Sequence, residues 1–280
     1  MIPTVNSLSG GKTSSYIAAN YAADFDVFSL VRVKDSKCKF PDEKVRLDVE
    51  DRLQKPFIGT AEDDAIIYTM FDLEQFIGRK INWVSGPEFE NVIDKKGQYL
   101  PNKVARYCTT ELKTMPILHW MYDKVKQPVA MRFGYRANET SRAKSMMAKL
   151  DDDGFTTVKA TFTKLSDGRN SWQTVKYCKP EFPLIDGNIY KDDIEQFWKG
   201  KPVRFAYMNN CVGCFWRSPL LLRHLYNKQP TKIQWFADTE KKAKGNWRSD
   251  CKYSDVIKWN AQISLFDDDF NECDSGHCGL

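Results

Sequence analysis

Val5-Asn6-Ser7-Leu8-Ser9-Gly10-Gly11-Lys12-Thr13-Ser14-Ser15-Tyr16 is the stretch that decides the fold of this chain. Its apolar start predicts a short strand, and the residues that follow predict a tight turn and then a helix. Gly10 and Gly11 carry no Cβ, so the turn can adopt positive φ and bring backbone N–H groups close to a ligand. Those donors and the positive end of the helix favour a bound phosphate group, whereas a plain serine-capped turn is the other interpretation. The side chains that can add charge or hydroxyl donors are Lys12, Ser9, Thr13 and Ser14.

The composition indicates a folded protein with a sizeable core. The 280 residues are 42% hydrophobic and 13% aromatic, which is enough for one large domain or one domain with an extension. No stretch approaches the roughly 20 apolar residues of a membrane span, and the first residues lack a signal-peptide pattern. We therefore expect a cytoplasmic protein without a membrane partner. In that compartment the eight cysteines favour metal binding or chemistry over disulfides.

Alternating strand and helix patterns predict an α/β fold with a doubly wound, mainly parallel sheet. Such sheets bind ligands beyond the carboxyl ends of their strands, where residues 9–14 (the glycine loop) and residues 134–142 (the arginine loop) would then lie. The predicted strands after the first are 26–33, 65–70, 80–84 and 129–134, and the predicted early helices are 13–23 and 41–53. Turns at 151–154 and 166–170 indicate a β-hairpin. We expect a nucleotide-binding domain at residues 1–205 and a cysteine-rich extension at 206–280.

The glycine loop does not have the Walker A spacing. Its Ser-Gly-Gly-Lys-Thr-Ser resembles the PP-loop of ATP pyrophosphatases, Ser-Gly-Gly-Xaa-Asp-Ser, with Thr13 in the place of the usual Asp. The arginine loop is similar to the Gly-x-Arg-x-x-Glu-x-x-Arg segment of the phosphoadenylyl-sulfate (PAPS) reductase-like family. Residues 106–117 resemble that family's cysteine segment, with Cys108 followed by Thr109 where iron–sulfur members have a second cysteine, and residues 182–186 resemble its Tyr-Pro-Leu segment.

This resemblance covers about residues 1–220 and implies an adenine nucleotide alpha-hydrolase-like fold. It implies that the nucleotide, either ATP or adenylyl sulfate, is bound by Ser9, Gly10, Gly11, Lys12, Thr13, Ser14, Gly134, Arg136, Glu139 and Arg142. The guanidinium groups suit phosphate or sulfate oxygens, and the glutamate can orient one of them.

The last quarter of the chain holds two close cysteine pairs, which can converge on one tetrahedral thiolate site. Such a site holds zinc or a 4Fe-4S cluster. The candidate ligands are Cys108, Cys211, Cys214, Cys273 and Cys278, with Cys251 in a weaker context. Cys278-Gly279-Leu280 also resembles the reductase tail whose cysteine attacks the bound nucleotide's sulfur, so Cys278 is either a ligand or a catalytic nucleophile.

The other cysteines and the histidines have simpler interpretations. Cys38 and Cys178 are expected to be buried thiols. His119 is expected to be packed, His224 to lie on a surface helix, and His277 to lie between the two tail cysteines.

Two enzyme functions and one binding function follow. In the first, Lys12 and Mg²⁺ neutralise charge as ATP releases pyrophosphate, and sulfur passes to a small acceptor or to a nucleic acid such as tRNA or DNA. In the second, Cys278 and a thioredoxin-like reductant reduce adenylyl sulfate. The third is a non-catalytic nucleotide or nucleic-acid module with structural zinc. A homodimer is compatible with each.

One further stretch bears on nucleic acid. Residues 241–248 interleave basic residues with Trp247, which predicts either a nucleic-acid contact or a solvated charged loop.

Overall fold

The computed structural model describes residues 2–259, which form an α/β fold. Helices flank a six-stranded sheet, and two short strands form a separate ribbon. The strands are β1 (Thr4–Leu8), β2 (Phe25–Ser29), β3 (Arg32–Val33), β4 (Gly59–Thr60), β5 (Ile81–Val84), β6 (Val129–Arg132), β7 (Thr156–Lys164) and β8 (Asn170–Glu181). The α-helices are α1 (Lys12–Asn20), α2 (Glu43–Leu53), α3 (Ala65–Ile77), α4 (Phe89–Lys95), α5 (Tyr107–Thr109), α6 (Met115–Trp120), α7 (Thr140–Met147), α8 (Pro183–Asp186), α9 (Lys191–Trp198), α10 (Pro219–Lys228), α11 (Pro230–Lys242) and α12 (Tyr253–Lys258). Shorter 3₁₀ turns span Ser36–Cys38 and Ala137–Glu139, and π-helical turns span Thr110–Thr114 and Met121–Val125.

The large sheet has the strand order β5-β2-β1-β6-β8-β7. β1 pairs in parallel with both β2 and β6, and β6 pairs in parallel with β8. β7 pairs antiparallel with β8 at one edge, as the predicted hairpin requires. The prediction of a mainly parallel α/β sheet is therefore confirmed. Because the strands that follow β1 lie on both sides of it, the strand order reverses beside β1, which is where such sheets form a ligand crevice.

The predicted strand at 65–70 is wrong, because this stretch begins helix α3. The Asp63 carboxylate accepts the Ala65 backbone N–H at 2.9 Å and so starts the helix. Ile66, Met70 and Leu73 are completely buried at helical spacing. A short apolar run does not by itself distinguish a strand from a buried helix.

Two further expectations need correction. The predicted strand at 26–33 is two strands, since β2 ends at Ser29 and β3 pairs antiparallel with β4. His224 lies on α10 but is buried, with 6% of its surface exposed, and its ring lies 5.5 Å from that of Tyr207. The apolar face of α10 therefore includes this histidine.

The chain divides into two compact units. Unit 1 contains the residues up to Phe28 together with Thr69–Asn82 and Ile117–Arg204, and unit 2 contains Ser29–Tyr68, Trp83–Pro116 and the chain from Phe205. Unit 2 has its own aromatic core, which includes Phe89, Trp235, Phe236, Trp247 and Tyr253. The functional division into residues 1–205 and 206–280 stays a prediction.

Among the helices of residues 2–259, none combines the length and the apolar character that crossing a membrane requires.

Candidate functional site

The glycine loop joins β1 to α1 in unit 1. Gly10 has φ = 80°, a left-handed conformation that favours glycine. The Ser15 N–H donates to the Gly11 carbonyl at 3.0 Å, so the N–H groups of residues 12–14 precede the hydrogen-bonded turns of α1. The Ser14 hydroxyl accepts the Ser9 N–H and donates to the Gly11 carbonyl, both at 3.1 Å. The loop is therefore fixed by its own side chain, and its helix N-terminus can receive an anion.

Lys12 is oriented by helix α9. Its ammonium group forms an ion pair with Glu195, and its carbonyl accepts the Trp198 indole N–H at 2.9 Å. The two charged side chains are 35% and 40% exposed. A phosphate ligand would therefore have to compete with Glu195 for this lysine.

The arginine loop begins just beyond the carboxyl end of β6, the parallel neighbour of β1. A Cβ on Gly134 would lie 3.1 Å from the Thr13 methyl carbon and 3.8 Å from the Ser14 nitrogen. Glycine therefore allows the two loops to approach closely, as the sheet topology predicts. The structure brings the start of the arginine loop to the N-terminus of α1.

Glu139 organises the arginine loop. Its carboxylate accepts the Arg136 backbone N–H at 2.9 Å and Nε at 3.1 Å, and Arg142 binds its other oxygen at 2.5 Å. Burial raises the pKa of Glu139, but these hydrogen bonds and the two guanidinium charges outweigh it and hold the pKa below its ordinary value. The carboxylate is therefore charged at neutral pH and keeps both arginines in place.

Both guanidinium groups are preorganised for an oxyanion. Arg136 is 9% exposed, and its Nη groups make no hydrogen bond with any residue that the structure describes. Arg142 lies 4.2 Å over the ring of Tyr135, which stacks on Phe182. Planar donors held in this way suit phosphate or sulfate oxygens.

Three of the predicted metal ligands line one pocket of unit 2. Cys108, Cys211 and Cys214 share a cavity of about 40 Å³. The apolar part of its lining includes Val31, Phe89, Leu112, Phe215, Phe236 and Trp247. The two tail candidates, Cys273 and Cys278, lie outside the described residues, as does His277.

The loop that carries Cys211 and Cys214 is fixed by buried side chains. Arg217 donates to the Cys211 carbonyl at 3.2 Å, and Tyr253 donates to the Gly213 carbonyl at 3.0 Å. A Cβ on Gly213 would lie 2.3 Å from the Phe236 ring, so only glycine fits without a shift. The core of unit 2 therefore sets the positions of both sulfurs.

Positive charge lies beside the cysteine pocket. Arg106 and Lys103 lie 5.5 and 5.6 Å from the ring centre of Trp216, which lines the pocket. The Nε and Nη2 groups of Arg106 are buried and have no hydrogen-bond partner among the described residues. Buried donors of this kind are costly unless an acceptor is present, and an anionic metal–thiolate group would be one.

The three cysteines do not yet make a complete ligand set. Within residues 2–259, no group of three or more His, Cys, Asp or Glu side chains is placed so that it could hold a metal ion. Cys251 is half-buried, and burial raises the pKa of its thiol. Within the described residues the three thiols therefore do not form a metal site by themselves, and the metal centre, including the contribution of Cys273 or Cys278, stays a prediction.

The remaining singled-out residues are mostly structural. Cys38 and Cys178 are completely buried as predicted, and burial raises the pKa of each thiol to about 12. His119 packs against Phe162, as predicted.

Of the two interpretations of residues 241–248, the one in which Trp247 stacks on a nucleic-acid base is wrong. Trp247 is 1% exposed, and its indole N–H donates to the Phe236 carbonyl at 2.9 Å, so it is part of the core. Arg248 is likewise buried and donates to the Phe215 carbonyl at 2.7 Å.

Comparison of the chain with protein-family models, with curated proteins and with solved structures finds no match.

Proposed function

We propose that this chain is an ATP-using PP-loop enzyme, similar to the PAPS reductase-like family, that transfers sulfur to an acceptor. The observation that carries the proposal is the approach of Gly134 to Thr13 beside the point where the strand order reverses. It supports one binding site made from the glycine loop and the arginine loop. The finer fold assignment, a doubly wound adenine nucleotide alpha-hydrolase-like domain with a cysteine-rich extension, belongs to this proposal.

In the proposed reaction an acceptor oxygen attacks the α-phosphorus of ATP and pyrophosphate leaves. The first-turn N–H groups of α1 and the Lys12 ammonium group would hold the phosphate oxygens, with Mg²⁺ sharing their charge. Arg136 and Arg142 would hold the departing or the α-phosphate oxygens, because Glu139 fixes both guanidinium groups. A sulfur nucleophile would then displace AMP from the acceptor.

The cysteine pocket is the candidate source of that sulfur. Cys108, Cys211 and Cys214 would be ligands of a 4Fe-4S cluster or a zinc ion, completed by a tail cysteine. A sulfur carried on such a cluster, or on a cysteine left outside the ligand set, would be the nucleophile, whereas zinc would be structural. The unsatisfied donors of Arg106 support an anionic group there.

Reduction of adenylyl sulfate is the second candidate function. The same two loops would bind its phosphate and sulfate oxygens, and Cys278 would attack the sulfur before a thioredoxin-like reductant resets it. The complete Ser-Gly-Gly-Lys of the glycine loop favours ATP, because reductases that resemble this family do not release pyrophosphate.

One experiment separates these functions. Anaerobically purified full chain is incubated with ATP, Mg²⁺ and either tRNA or DNA as the acceptor, or with adenylyl sulfate and reduced thioredoxin. Pyrophosphate and sulfite are then measured. We expect pyrophosphate from ATP, abolished by Lys12→Ala and unchanged by Lys80→Ala, since Lys80 is exposed and lies just before β5. Sulfite without pyrophosphate would favour the reductase, and neither product would contradict both enzyme functions.

A further inference from the structure

The β7–β8 hairpin, residues 156–181, has a packed face and an exposed face. On the packed face Phe162 lies 5.2 Å from His119 and 5.0 Å from Tyr122, and Ala160 and Tyr177 are buried. The strand register pairs Thr157 with Lys176, Lys159 with Thr174 and Thr161 with Trp172. Because alternate residues of a strand share a face, these six residues lie on the opposite side of the hairpin.

The exposed face carries a large aromatic side chain and positive charge. Trp172 is 58% exposed, and its cross-strand neighbour is Thr161. Lys159, two residues before Thr161 on the same strand, is also exposed. The hairpin contains five basic residues and two acidic ones, so its net charge of +3 is more than half of the chain's +5. Lys176 on this face is ion-paired with Asp153, so Lys159 supplies the positive charge of the exposed face.

The tip of the hairpin adds a concave surface. Leu165, Gly168, Arg169, Asn170 and Trp172 line an open depression there. Gly168 has φ = 82°, which lets the turn close and places these side chains together. The Arg169 guanidinium is paired with the Asp167 carboxylate at 2.7 Å but is 80% exposed, so a phosphate would share it with that carboxylate. An aromatic ring beside an arginine can stack a nucleobase and contact its phosphate.

We propose that this face binds a single-stranded nucleic acid, with a base stacked on Trp172 and phosphates near Lys159 and Arg169. Unpaired bases can stack on an exposed ring, whereas bases within a duplex cannot, so a single strand is favoured. The claim that this nucleic acid is the acceptor of the reaction rests on the proposed function. The claim that the face binds nucleic acid rests on the hairpin alone.

The test is binding of the full chain to a fluorescently labelled single-stranded oligonucleotide, measured by anisotropy with DNA and RNA at several salt concentrations. Trp172→Ala should weaken binding by about tenfold, while Trp172→Phe retains most of it. Lys159→Gln should also weaken binding and lower the slope of log affinity against log salt by about 0.7, one phosphate contact.

The matched control is Lys80→Gln, which makes the same charge change just before β5 at the opposite edge of the sheet. This variant should bind the oligonucleotide as the wild type does. Lys12→Ala should keep oligonucleotide binding even where ATP binding is lost, so failure of the proposed function is distinguishable. Thermal melting by circular dichroism verifies that each variant is folded. Absence of oligonucleotide binding by the wild type overturns the inference, and so does wild-type affinity in both Trp172→Ala and Lys159→Gln. Either result leaves this face to solvent or a protein partner.

Discussion

The glycine loop of unit 1 and the cysteine loop of unit 2 are built by opposite means. The first is held by local contacts, since Gly10 adopts a positive φ and the Ser14 hydroxyl accepts the Ser9 N–H and donates to the Gly11 carbonyl within the same loop. The second depends on distant side chains, because Arg217, Tyr253 and Phe236 fix the loop around Gly213. A phosphate site of the first kind follows from strand order and a short motif. A thiolate site of the second kind depends on a complete core.

Removing the thiolates is the most severe way to test this comparison. We expect the Cys211→Ser, Cys214→Ser double variant to lose all bound iron or zinc, because two of four ligands are gone. Metal analysis and the visible spectrum of anaerobically purified protein measure this. The matched control is Cys38→Ser, Cys178→Ser, which removes two buried thiols elsewhere and should keep full metal content per folded molecule. Full metal content in the first variant would show that the proposed centre does not exist.

Gly213 tests whether the core really sets the cysteine loop. Gly213→Ala should lower the free energy of unfolding by about 1–3 kcal/mol, since the new methyl group would overlap the Phe236 ring. Urea denaturation measures the change. Gly245→Ala is the control, because no atom lies within 4 Å of the Cβ it would add. Equal stability of the two variants would mean that the loop is not held as described.

The arginine loop provides a smaller, pH-dependent effect. The folded-state pKa of Glu139 is lowered, so its charge contributes stability above its ordinary value of 4.5, and this contribution disappears as the pH falls through the folded value. Glu139→Gln should therefore be less stable than the wild type at neutral pH, with a difference that closes well below pH 4.5.

The control for that titration is Glu43→Gln, which replaces a carboxylate that is 81% exposed. Denaturant unfolding across this pH range should show little difference between it and the wild type. A pH-independent gap for Glu139→Gln would contradict the role given to its charge.

The same contrast explains what the sequence could predict. The glycine loop, the parallel sheet and the hairpin were predictable, because each depends on local pattern and turn chemistry. Trp247 and Trp172 both lie near basic residues in the sequence, yet one is core and the other is exposed. Their difference arises only from tertiary packing, as do the ion pair of Glu195 and the buried donors of Arg106.

Calorimetric titration with ATP tests the central claim most directly, namely that the glycine loop binds nucleotide phosphates. Wild-type protein should bind ATP. Lys12→Ala should lose at least about tenfold in ATP affinity, because it loses a charge-assisted hydrogen bond. Glu195→Gln removes the competing partner of Lys12 and should bind at least as tightly as the wild type, while Lys80→Ala should be unchanged. Absence of ATP binding by the wild type, or equal affinity for Lys12→Ala, would contradict the account.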